Sequence, residues 1–268
     1  MKHHGAMQNR YVGDVGDFLK IGILRSLSGP VSDPEHMKVG LVWYLVPDES
    51  GNNDGKHVAY LKMDSKKGRE LRPLDPDLYD ELAHIVQRRP QTVMNIEQSG
   101  VLPADAVTFT QVLDFSDLSP SNRSLRIERR TTWLQGALAA TASSDIVFLD
   151  PDNGIRSTAH PVRSHQSRAI KHAYFDEIAQ FLERGQSVIA YHHADRSAAL
   201  NVQAEQRMAE IRDELDVVPL CALCMRQGTS RFFFVIPSPH DAQALAKKIS
   251  SIESGPWGRL VQQFPAKV

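Results

Sequence analysis

Two cysteines, Cys221 and Cys224, are all that the 268 residues contain. One C-x-x-C pair cannot build a disulfide framework, nor a four-ligand zinc site unless distant histidines join it, so a reduced pair beside a strand is expected. No apolar run approaches the length that spans a bilayer, so no membrane segment is expected. Charge of one sign is also missing: 31 Lys and Arg face 32 Asp and Glu, for a net charge of −1. That balance excludes a global pull toward nucleic acid or an anionic surface and leaves only local clusters to consider. There is no internal repeat, no low-complexity tract and no convincing linker. A cytoplasmic protein is the resulting expectation.

What is present suits an ordinary globular core, with 41% hydrophobic and 24% charged residues. The first seven residues, Met1-Lys2-His3-His4-Gly5-Ala6-Met7, read as a shortened histidine tag with a cloning scar and are set aside. Residues 8–268 then read as one domain, with an insertion or subdomain expected in the charge- and proline-rich stretch 53–101. Apolar residues at helical spacing from Phe18 onward predict a helix, with Asp14 or Asp17 as its cap. Strands are predicted at 39–46, 107–112, 146–149, 187–191 and 231–236, and helices at 78–88, 129–142, 174–184 and 197–215. This alternation predicts an α/β fold: a doubly wound, mostly parallel, Rossmann-like sheet with helices on both faces.

The densest signal is the stretch 145–155, in which the β-prone run Ile146-Val147-Phe148-Leu149 stops at Asp150-Pro151-Asp152-Asn153-Gly154. In an open α/β sheet the carboxyl ends of strands are where ligands bind. Two carboxylates flanking a proline there repel each other unless a cation or a proton is shared. Asp150, Asp152 and Asn153 are therefore candidate catalytic residues; the plainer alternative is a turn cap followed by a tight loop.

Three further clusters follow. In Gly13-Asp14-Val15-Gly16-Asp17-Phe18-Leu19-Lys20 the charged residues stand at i, i+3 and i+6, which suits either a binding helix or a capped, solvated first turn. The loop 47–55 is rich in residues that accept positive φ and expose backbone N–H groups, and suits either a cofactor loop or a surface turn. Tyr191-His192-His193-Ala194-Asp195-Arg196 closes a predicted strand and offers a metal ligand or a base near neutral pH. Adjacent strand residues point to opposite faces, so at most one of the two histidines shares a face with Asp150; His192 is the preferred one. Arg123, Arg126, Arg129 and Arg130 with Trp133 form a basic, aromatic stretch that suits phosphates, though a solvated helix start is the commoner outcome.

The order of elements resembles class I S-adenosylmethionine-dependent methyltransferases and, more narrowly, the ribosomal RNA adenine-N6 methyltransferases of the J type. The resemblance rests on Gly13-Asp14-x-x-Asp17-x-x-Lys20 against the family's Gly-Asn-x-x-Asp-x-x-Lys helix, on the loop at 47–55, and on Asp150-Pro151-Asp152-Asn153 where the family has Asp-Pro-Pro-Tyr. It implies S-adenosylmethionine as cofactor, held by Gly13, Asp14, Asp17, Lys20, Asp48 and Gly51, and nucleic acid as acceptor. In the family the aspartate and a carbonyl hold the exocyclic amine while the aromatic ring stacks on the flipped base. Here Asp152 stands in place of the second proline and Asn153 in place of the ring.

A strand followed by D-x-D also looks like the opening motif of haloacid dehalogenase-type phosphatases, with Gly154 where a threonine is expected. That gives a second expectation: a Mg²⁺-dependent phosphoryl or phosphodiester hydrolase in which Asp150 and Asp152 hold the ion and His192 or Asp195 assists. A third is a methyltransferase-like fold that binds without turnover. Both enzyme readings expect Asp150, Asp152 and His192 to converge in one cleft.

Overall fold

In a computed structural model the chain is described over residues 9–47, 57–88, 90–158 and 162–267. Among these residues seven strands form one sheet in the order β2-β1-β3-β4-β6-β5-β7. The strands are β1 Val39–Val42, β2 Val107–Phe109, β3 Ile146–Leu149, β4 Ser187–His193, β5 Cys221–Gln227, β6 Thr229–Ile236 and β7 Val261–Pro265. The neighbours β2, β1, β3 and β4 pair in parallel. Beyond β4 the pairings are antiparallel, so β6 and β7 run against the other five strands. The expected doubly wound α/β sheet is present, with an antiparallel extension on one side.

Helices cover both faces. On the first face α1 (Val15–Ser28), α3 (Pro76–Arg88), α4 (Val93–Gln98) and α8 (Ala242–Ser254) pack Phe18, Leu19, Leu78, Leu82, Ile96 and Leu245 onto Leu41, Ile146, Phe148 and Phe233. The short α2 (Lys66–Leu71) joins this layer through Leu71. On the second face α5 (Arg123–Ala140), α6 (Phe175–Leu182) and α7 (Leu200–Leu215) pack Trp133, Phe181 and Met208 onto Val42, Val147, Leu149 and Phe234. Every strand but β2 feeds both cores because alternate side chains point to opposite faces, and β2 gives only Phe109 to the second. Residues 59–98, inside the stretch read as an insertion, contribute Tyr60, Leu71, Leu78 and Ile96 to the first core.

After β1 the chain passes to the first face and after β3 to the second, so the crevice between their carboxyl ends is a topological switch point. The ladder at the end of β1 breaks at Tyr44, a non-glycine residue at φ 48°. Its ring lies 4.7 Å from that of Trp133, and its hydroxyl donates to Glu177 Oε2 at 3.3 Å, contacts that hold the strained turn. This is why the predicted strand 39–46 ends as a ladder strand at Val42.

Strands β5 and β7 and helix α8 are absent from the sequence-based expectation. Cys221-Ala222-Leu223-Cys224-Met225 mixes residues without a β-branched run, and it becomes a strand by pairing with Phe232–Val235 on one side and Gln262–Pro265 on the other. Cys221 faces the first core and Cys224 the second, so the two thiols cannot share one metal ion. Burial pushes the Cys221 thiol up to about 12.

Candidate functional site

Helix α1 starts where Asp14, in extended backbone, accepts hydrogen bonds from the Gly16 and Asp17 N–H groups at 2.6 and 3.1 Å. Asp14 is thus the N-cap. Asp17, one turn in, is buried; it accepts from Gly13 N–H at 3.0 Å and from Lys20 Nζ at 3.1 Å. The same Nζ donates to Asp150 Oδ2 at 2.5 Å and lies 5.1 Å from the Trp43 ring centroid. Lys20 therefore ties the first helix to the carboxyl ends of β1 and β3, at the switch point. Tyr60 closes the entry to the helix by donating to the Gly13 and Asp14 carbonyls at 3.2 and 3.3 Å.

The electrostatics follow from burial. Burial opposes the charge on Lys20, but Asp150 and Asp17 outweigh it and hold its pKa above the ordinary lysine value. Asp150 is pushed up to about 6: burial raises it, Lys20 pulls it back, and Asp17 and Asp14 add to the rise. Asp14 is raised as well, by burial first and Asp17 second. The cation that the Asp-Pro-Asp motif called for is thus supplied by the protein, from a helix 130 residues earlier in the chain.

Register decides which neighbours join. Leu149 pairs with Ala190, so Asp150 is followed on its own face by Tyr191, not by His192. Tyr191 packs on the first core, with its ring 6.0 Å from that of Phe233, and burial pushes its phenol up to about 12 with Arg231, Asp152 and Asp150 close enough to act on it. Its hydroxyl lies 3.3 Å from His193 Nδ1, and His193 stands opposite Arg231 across the β4–β6 ladder. Arg231 is buried; Nη2 donates to Thr229 Oγ1 at 2.9 Å, while Nη1 is enclosed without a hydrogen-bond partner.

The expected convergence of His192 with Asp150 is corrected by this register. His192 faces the second core, its ring 5.8 Å from Phe234, and Nδ1 accepts from the Ile155 N–H at 3.1 Å. Burial, with Arg207 next, pushes it well below the ordinary histidine range. It fits beneath Gly154, at φ 81°, where an added Cβ would lie 2.3 Å from His192 Nδ1. Asn153 spends its N–H on the Lys171 carbonyl at 3.0 Å. Asp152 is half-buried beside Tyr191. Asp48 and Gly51 lie outside the described residues.

The basic stretch of α5 is spent internally. Arg126 donates to the Leu118 and His165 carbonyls, Arg129 pairs with Asp117, and Arg130 grips Glu177. Arg123 is exposed. Among the described residues no three or more His, Cys, Asp or Glu are grouped to hold a metal ion, and no helix is long and apolar enough to cross a membrane.

Two residues at this site, Trp43 and Arg231, were not singled out by sequence, while Tyr191 and His193 stood in the 191–196 cluster without being its preferred member. A signal existed for Arg231, a cation opening the run Phe232–Ile236 at the same parity as Phe233 and Val235. No protein-family model matches the chain, and no curated protein is significantly similar to it.

Proposed function

We propose that this chain is a methyltransferase relative that binds S-adenosylmethionine at the switch point, with Lys20, Asp17 and Asp14 at the cofactor's polar end and Asp150 toward the acceptor. The observation that carries the reading is the 2.5 Å contact between Lys20 and Asp150, because it joins the two motifs on which the family resemblance rests. The donor set suits the cofactor. S-adenosylmethionine carries an ammonium, a carboxylate and a sulfonium, and here the carboxylates Asp14, Asp17 and Asp150 outnumber the cations Lys20 and Arg231. When bound, the cofactor supplies an electrophilic methyl group. Asp150, ionised at neutral pH with its value near 6, is able to accept a hydrogen bond from an acceptor N–H. Nucleic acid is the acceptor class that the resemblance suggests; with Asn153 at the ring position, the base would have to be held without stacking there.

The hydrolase reading is weaker on geometry. Lys20 Nζ sits between Asp17 and Asp150, so one of the two carboxylates assigned to Mg²⁺ is already neutralised by a buried ammonium. His192, one of the two helpers this reading named beside Asp195, faces the other core.

Calorimetric titration of the full chain with S-adenosylmethionine and S-adenosylhomocysteine tests the proposal. Micromolar binding, lost in Lys20→Ala, is the expected result. No binding, together with Mg²⁺- or Mn²⁺-dependent phosphoester hydrolysis abolished by Asp150→Asn, would replace it with the hydrolase.

A further inference from the structure

Arg231 is the anomaly of this site. Its side chain is enclosed in the first core layer, yet it makes no ion pair among the described residues, and Nη1 has no acceptor. A buried guanidinium lacking an acceptor forfeits the hydrogen bonds it had in water, so its place in the fold is expected to be completed by something else. Thr229 Oγ1 holds Nη2 and so fixes the direction of the fork.

That direction is toward the first turn of α1. A Cβ built on Gly16 would lie 3.4 Å from Arg231 Nη1 and Cζ, and 2.7 Å from Asp14 Oδ1. The guanidinium and the carboxylate thus flank the same bare stretch of backbone, and they do not pair with each other. Asp14 spends Oδ1 on the Gly16 and Asp17 N–H groups, and among the described residues Oδ2 accepts no hydrogen bond. An anion alone would meet Asp14 unfavourably and a cation alone would meet Arg231, whereas a ligand carrying both charges a few ångströms apart satisfies the two sides.

We infer that Arg231 and Asp14 recognise an α-amino-acid zwitterion, the carboxylate on Arg231 Nη1 and the ammonium on Asp14. The inference rests on the cofactor reading above and adds to it a residue from β6 that neither motif contains. A carboxylate on a guanidinium is a charge-assisted contact, worth roughly 10- to 100-fold in affinity.

The test compares S-adenosylmethionine with its decarboxylated form, and with 5′-methylthioadenosine, which lacks the amino-acid end, by calorimetry on the full chain. The wild type is expected to bind the two truncated ligands at least tenfold more weakly than S-adenosylmethionine. In Arg231→Met that preference should collapse through loss of S-adenosylmethionine affinity, with the truncated ligands unchanged, whereas general damage to the fold would weaken all three. Should Arg231→Met fail to fold, Arg231→Lys carries the same comparison. Equal binding of the three ligands to the wild type, or an undiminished preference in the variant, overturns the inference and leaves the cofactor reading standing. Failure of all three to bind removes both.

Discussion

Arg130 and Arg231 are buried almost equally, at 4% and 5% exposure, near the two faces of the same sheet edge, and they are used in opposite ways. Arg130 grips Glu177 through Nε and Nη2 at 2.5 and 2.9 Å and spends its remaining reach on the Ala169 and His172 carbonyls at 2.8 and 2.7 Å. Glu177 in turn accepts from Tyr44 and from the Tyr174 N–H. This is a bolt between α5, α6 and the segment 167–174. Arg231 has one hydroxyl. Arg126, Arg156 and Arg207 also enclose an unpartnered Nε, but Arg126 donates to three carbonyls and a hydroxyl and Arg207 keeps a carboxylate, Glu210, whereas Arg231 has no carboxylate partner among the described residues. A buried guanidinium with its acceptors in place is architecture; one without them points to an incoming ligand.

The widest separation between the two comes from matched substitutions. Arg130→Met strands Glu177 as an uncompensated buried carboxylate and should cost about 3–5 kcal/mol of unfolding free energy, read from urea denaturation. A loss below 1 kcal/mol would break the contrast, because the ion pair would then be idle and its burial incidental.

Acid sharpens the comparison from another side. His172 is pushed down to about 4, by burial first, with Arg130, Arg207 and Arg156 adding. Its folded value is depressed below the unfolded one near 6.5, so the unfolded chain takes up the proton first. Its contribution is complete above pH 6.5 and is lost as pH falls toward 4, up to about 3 kcal/mol. Asp150 has the opposite sign. Its folded value near 6 lies above the unfolded 3.8, so its contribution is present below pH 3.8 and lost as pH rises through 6. Urea midpoints between pH 4 and 7 should therefore fall less steeply toward acid in His172→Gln than in the wild type, and more steeply in Asp150→Asn. Parallel profiles in all three proteins would show that these groups do not set the slope.

How much of this was legible in the sequence follows from range. The α1 cap, the β3 run and the turn at 151–154 are local, written in Asp14, in Ile146–Leu149 and in the Pro151 and Gly154 punctuation, and they stand where expected. The Lys20–Asp150 pairing was approached from both ends, because each motif held unbalanced charge. Choosing between His192 and His193 required the register Leu149–Ala190, which no window of sequence contains. The spending of Arg126, Arg129 and Arg130 on carbonyls and acids 8 to 47 residues away was invisible for the same reason. Strand β5 was hidden because its pairing partners, not its own composition, make it a strand.

The smallest expected effect completes the contrast. Arg231→Met removes a charge that has no ion pair among the described residues and fills its place with an unbranched apolar chain. The lost Thr229 contact costs little, and the relief of an unsatisfied buried donor works in the other direction. The net change in unfolding free energy should stay within about 1 kcal/mol of zero, against the several expected for Arg130→Met. A drop as large as that at Arg130 would mean that Arg231 holds the fold through its interaction with Asp14 across the Gly16 gap. The two arginines would then differ in geometry alone and not in kind.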